Sequence, residues 1–277
     1  GARPRGRRAG GKYKLNRPLA RANKALAAIN TKAPPALRLS PVFEDYFDLQ
    51  LQLAGHYAAI TGLPFDAAVD TCTNLRRRLG LWGDAGEGRW RALRAQLRPL
   101  GGNRPAALAR CLNALAAHPP AQPAQPFGCF SYDAPDAAGT LRLHFMPPPG
   151  TAASPLAHAH MDDRRQELRA LFAHLRQSRA PVRAVMGVSW LYNLEAYLRL
   201  FPPAYRASVA APGFALHLNG SSTWGQVLDW RQAVKPGVRD AVRARLGHMR
   251  PGAPWRAFPL QALAASCAVG HFHAWLA

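Results

Sequence analysis

Two segments in the C-terminal half gather residue types suited to holding and transforming an anion. In residues 185–193 (VMGVSWLYN), Ser189 brings a hydroxyl, Trp190 and Tyr192 bring aromatic faces with polar tips, and Asn193 brings an amide. In residues 217–226 (HLNGSSTWGQ), Asn219, Ser221 and Ser222 surround Gly220. Their backbone N–H groups and hydroxyls suit a phosphate or carboxylate, and Trp224 and Gln226 complete the edge. His144 alternates with Arg142, which places an imidazole beside a guanidinium. These residues predict one site in which His144, His217 and Ser189 act on the substrate. Trp190, Tyr192, Asn193, Asn219, Ser221, Ser222, Trp224, Gln226 and Arg142 would hold it there. The expected protein is a bacterial enzyme or ligand-binding protein for a phosphate- or carboxylate-bearing molecule.

Each signal also has a plainer reading. Gly187-Val-Ser189-Trp-Leu191 lacks the second glycine of a nucleophile elbow, and Asn219-Gly220-Ser221-Ser222 lacks the lysine of a Walker loop. Trp190 and Tyr192 also suit core packing, and Asn219-Gly220 an ordinary turn. His158/His160 and His271/His273 are two-histidine pairs without a third ligand, so no metal site is predicted. Carboxylates are scarce, which disfavours a paired-carboxylate hydrolase. Glu44, Asp45 and Asp48 suit the first turn of a helix, as does Glu195. No motif names a cofactor.

Charge supports an alternative, nucleic-acid binding. The chain of 277 residues carries a net +21, and its first acidic residue is Glu44. Residues 1–40 hold eleven Lys and Arg, among them Arg5, Arg7, Arg8, Lys12 and Lys14. The remainder has 25 basic against 15 acidic residues, so the body is basic as well. Arg76, Arg77 and Arg78 form a second concentration, and Arg239 and Arg243 share a helical face. Arg outnumbers Lys by 31 to 5, a bias that codon use in a GC-rich genome also produces. Four scattered cysteines without a CxxC pair point to free thiols in a reducing cytoplasm.

The elements that must position these residues follow from periodicity. The expected fold class is α+β, with a flexible basic tail (1–40), a helical domain (41–118), a Pro-rich linker (119–126) and an α+β domain (127–277) containing a small mixed sheet. A short basic helix over 17–31 ends at Pro34, Pro35 and Pro41. Tyr46, Leu49, Leu53, Tyr57 and Ile60 mark a first body helix, ended by Gly62 and Pro64. Phe65 to Leu79 marks a second, Trp90, Leu93 and Leu97 a third, and Leu108, Leu112 and Leu115 a fourth. Beyond the linker the period falls to two: 127–133 and 140–145 read as a hairpin, 182–190 as a buried strand. Helices are expected over 162–178, from Tyr192 to Phe201, and over 236–249. A strand is expected over 214–218, a strand or helical turns over 224–230, and helix beyond Pro259.

Overall fold

The computed structural model describes residues 41–120, 124–178 and 181–277. The basic tail with Arg5, Arg7, Arg8, Lys12 and Lys14, the short helix over 17–31, and part of the Pro-rich segment lie outside the described residues. The described chain is α+β. Eleven α-helices accompany a four-stranded mixed sheet, and an N-terminal helical region comes first. Among the described residues no helix is long and apolar enough to cross a membrane.

Helix α1 (Pro41–Thr61) is the axis of the helical region. Its stripe of Tyr46, Leu49, Leu53 and Tyr57 is buried, and so are Phe47 and Leu51 on its flanks. It needs this wider apolar surface because α2 (Phe65–Cys72), α5 (Arg104–Ala117) and α10 (Pro236–Arg245) all pack on it. Ile60 and Leu63 lie at the exposed α1–α2 turn. Gly62 makes that turn at φ +73°, in the left-handed region glycine tolerates.

The stretch from Phe65 to Leu79, read as one helix, breaks at Thr73–Asn74 into α2 and α3 (Leu75–Arg78). Thr73 Oγ1 donates back to Val69 O at 2.7 Å. The freed Asn74 N–H donates to the buried Gln50 Oε1 at 2.8 Å, and Tyr46 Oη donates to Asn74 Oδ1 at 3.2 Å. Satisfying that buried backbone group through a side chain makes the break tolerable. Helix α4 (Asp84–Leu97) is tied to α2 by charge. Buried Asp66 meets Arg94 at 3.1 Å and Arg98 at 2.9 Å, and Asp70 accepts from Trp90 Nε1 at 2.8 Å.

The sheet runs β1 (Phe130–Asp133), β2 (Thr140–Phe145), β3 (Ala184–Ser189), β4 (Leu263–Ala268), in that spatial order. The β1–β2 and β3–β4 pairs are antiparallel and β2–β3 is parallel. The parallel pair requires a crossover, which α6 (Met161–Gln177) provides. Leu168, Leu171, Phe172 and Leu175 of α6 pack with Leu141, Leu143 and Val185 on one face of the sheet.

Three further sequence expectations change. The stretch beyond Pro259 begins with β4 before α11 (Val269–Leu276). LAASCA has no β-branched residue, so its strand character comes from pairing with all six residues of β3. Residues 214–218 form no strand: Phe214 is 53 % exposed and the chain is irregular there. The helix expected from Tyr192 to Phe201 is interrupted. A 3₁₀ turn (Trp190–Asn193) is followed by an extended Leu194 and the single turn α7 (Glu195–Leu198).

Two apolar cores result. One joins α6, the sheet, α11 and a cluster around Tyr192, Tyr197, Phe201 and Tyr205. The other joins the N-terminal helices to Leu218, Trp224, Val227, Val242 and Phe258, all from beyond the Pro-rich segment.

Candidate anion-binding site

Residues 187–193 and 217–226 do meet. Gly225 sits against the Trp190 indole, so closely that a Cβ there would stand 3.0 Å from Trp190 Nε1. Lys235 Nζ lies 4.7 Å from the centre of the same ring, and burial lowers its pKa against the opposing pull of Asp229. Asn193 Nδ2 donates to Trp190 O and Gln261 O, both at 2.8 Å, closing this corner.

Most polar groups in these segments have internal partners. Ser189 Oγ accepts from Leu191 N–H at 3.1 Å, capping the 3₁₀ turn. Tyr192 and Tyr205 share a buried hydrogen bond of 2.6 Å between hydroxyls. Burial raises the Tyr192 phenol well above its ordinary value, and Tyr205 adds to the effect. Trp224 is fully buried, donates to Cys72 O at 3.0 Å and meets Phe258 and Tyr46 edge-on. Gln226 is buried too: its Nε2 donates to Thr223 O and Leu260 O, and its Oε1 accepts from Leu260 N–H. His217 and Ser221 are exposed, Asn219 and Ser222 half-buried. Gly220 is extended, at φ −124° and ψ −179°.

The other sequence-predicted groups gather elsewhere. On the hairpin, Ser131 faces His144 and Asp133 faces Arg142 across the β1–β2 ladder, so all four share the sheet face opposite α6. His144 Nε2 and Asp133 Oδ2 stand 2.9 Å apart. Arg77 of α3 feels the charges of this face. Its guanidinium is held below its ordinary pKa first by burial and then by Arg142, while Asp133 pulls the other way. The same guanidinium lies 3.7 Å from the centre of the Trp82 ring, itself 46 % exposed. Among the described residues neither Arg77 nor Arg142 is in an ion pair, whereas their neighbours are engaged. Arg76 binds Glu87 at 2.6 Å and Leu81 O at 3.0 Å, and Arg78 donates to Gln232 and covers Tyr46. Trp82 and Asp133 were not singled out by sequence reasoning, although Trp82 stands four residues after the arginine run, where an aromatic beside basic residues is a usable signal.

The arginines Arg239 and Arg243 dock α10 on α1 through Asp45, Asp48 and Gln52. His160 pairs with Asp163 at 3.1 Å, and His271 and His273 lie on α11, where alternate positions diverge. Among the described residues no group of three or more His, Cys, Asp or Glu is gathered to hold a metal ion. All four cysteines are free. Burial pushes the thiols of Cys111 and Cys129 up to about 12, so these are packing residues rather than nucleophiles.

The candidate site thus pairs a guanidinium with an exposed indole on the helical region, and the hairpin carries a second guanidinium and a His–Asp pair. The free guanidinium groups can bind an anion, and the free area of Trp82 can stack a planar group. Comparison with protein families, curated proteins and solved structures gives no match, so what this surface binds is read from its own chemistry.

Proposed function

We propose that this protein binds single-stranded nucleic acid, with Arg77, Arg142 and Trp82 as its contact surface and the acid-free residues 1–40 adding long-range attraction. The observation that carries this reading is the Arg77 guanidinium stacked at 3.7 Å on the exposed Trp82 ring. Among the described residues neither Arg77 nor Arg142 has an ion-pair partner, and the carboxylate of Asp133 is already engaged by His144. A phosphate would give such a guanidinium its partner, and an unpaired base has a ring to stack on. Trp82 favours a single strand because duplex bases keep their faces covered. The four free thiols fit a reducing, cytoplasmic bacterial setting.

The test is fluorescence anisotropy with a labelled oligothymidylate over a salt series. Arg77→Ala and Arg142→Ala should each reduce the salt slope by about one. Trp82→Ala should weaken binding by about 1–3 kcal/mol. Affinity that does not change between about 50 and 200 mM salt overturns the reading, since phosphate contacts release counterions.

A second reading keeps a small anionic metabolite as the ligand. It is favoured by Lys235 over Trp190, where 187–193 meets 217–226. There Asn219, Ser221 and Ser222 would supply polar contacts, and chemistry would fall to His217 or Ser189. Calorimetric titration with a nucleoside monophosphate separates the two. Binding lost in Lys235→Met but kept in Arg77→Ala supports this second site.

A further inference from the structure

Helices α4 and α5 leave a groove between them, lined by none of Arg77, Trp82 and Arg142. Its volume is about 240 Å³. The floor is apolar, from Leu81, Leu93 and Ala114, while Arg89, Arg110 and His118 stand around it. Among the described residues no carboxylate lines it, and neither Arg89 nor Arg110 is in an ion pair. Glu87, the acid nearest in sequence, is held by Arg76 and Arg91.

We infer that this groove is a docking site for an acidic, amphipathic peptide segment of a partner protein. One large apolar side chain would enter the groove while flanking carboxylates meet Arg89 and Arg110. The volume is below the roughly 300–1,000 Å³ of small-molecule pockets, and it suits an anchor residue better than a whole cofactor. Charge complementarity selects the occupant. Residues 1–40 have no acid and so cannot supply it. A second copy fits poorly: among the described residues none of the exposed large apolar residues Ile60, Leu63, Trp82, Met146, Phe214 and Trp275 is flanked in sequence by carboxylates on both sides within three positions. The pattern is that of an anchor in an apolar groove with a charged rim that sets orientation and on-rate.

The experiment is anisotropy with a labelled synthetic peptide that places a Leu-Phe anchor between glutamates. Two controls replace the anchor by serines or the glutamates by lysines. Binding by the full chain should weaken at least tenfold in Arg89→Glu/Arg110→Glu. It should weaken comparably in Ala117→Trp, which fills the groove without changing charge; Ala117 is exposed and lines it. Arg77→Glu/Arg142→Glu should leave peptide affinity unchanged, which keeps this site independent of the nucleic-acid reading. Equal binding of the serine control means general attraction to a +21 chain and overturns the inference. Full affinity in Ala117→Trp, or no binding of the anchor peptide, overturns it as well.

Discussion

Gln226 illustrates what decides a polar residue's role. Its amide has the donors and acceptor of a ligand-binding group, yet all three hydrogen bonds go to the backbone of Thr223 and Leu260. It behaves as an internal peptide mimic that splices α9 (Ser221–Trp224) to the segment before β4. Replacing it by isosteric leucine would orphan the Leu260 N–H and C=O. We expect Gln226→Leu to lose about 1–2 kcal/mol in urea unfolding, from two unpaired, partly buried groups. A loss below about 0.5 kcal/mol would contradict that role. Trp224 is similar: Trp224→Phe keeps most of the packing against Phe258 but leaves Cys72 O without its donor, at about 1–2 kcal/mol. Trp224→Ala adds a cavity and should cost about 3–5 kcal/mol. In the sequence both residues read as ligand groups because side-chain chemistry alone does not reveal which polar tips find a partner inside the protein.

Between elements, the contacts that matter are those a local period does not encode. The connection from α3 folds back on the first turn of α4 so closely that a Cβ on Gly86 would collide with the Leu81 backbone. Because the obstacle is backbone rather than a flexible side-chain end, Gly86→Ala should destabilise by about 1–3 kcal/mol despite alanine's better helix propensity. Circular-dichroism melts check the sign: a stabilised variant would show that the connection can relax. The stripes of α1, α4, α5, α6 and α10 were legible in the sequence, since each repeats at three and four residues. The alternation of β2 correctly set Arg142 and His144 opposite Leu141 and Leu143. The break at Asn74 and the strand β4 were not legible. One depends on Gln50, far away in the chain, and the other on six partners in β3.

Across the whole molecule, two depressed pKa values make acid destabilising in separate windows. At Asp66 burial alone would raise the carboxyl, but Arg98 and Arg94 outweigh it and hold it below its ordinary value. Its contribution is complete above the unfolded value of about 3.9 and is lost as pH falls through the lower folded value. His273 is lowered by burial, with Arg176 adding to the effect, and its Nδ1 has no partner among the described residues. Its contribution is complete above about pH 6.5 and fades as pH falls through its folded value, when a charge must enter beside Phe172. Melting temperature should therefore fall in an upper step below pH 6.5 and again below about pH 4. His273→Phe should remove the upper step; an unchanged profile in that variant would refute the assignment. Salt should matter differently: the buried Asp66–Arg94 contact is weakly screened, whereas the exposed Arg91–Glu87 pair is screened by added ions.

Sequence by itself determined the charge, the acid-free first forty residues, the α+β class, the main helical stripes and the face on which Arg142 and His144 lie. Those properties are local or additive, so composition and period record them. Only the tertiary structure decided that Tyr192, Trp224 and Gln226 turn inward, and that Arg77 stacks on the exposed Trp82 ring. A hydrophobic period says which side of an element avoids water. It does not say which other element covers that side, and the covering element decides whether a polar group meets a ligand or the protein's own backbone.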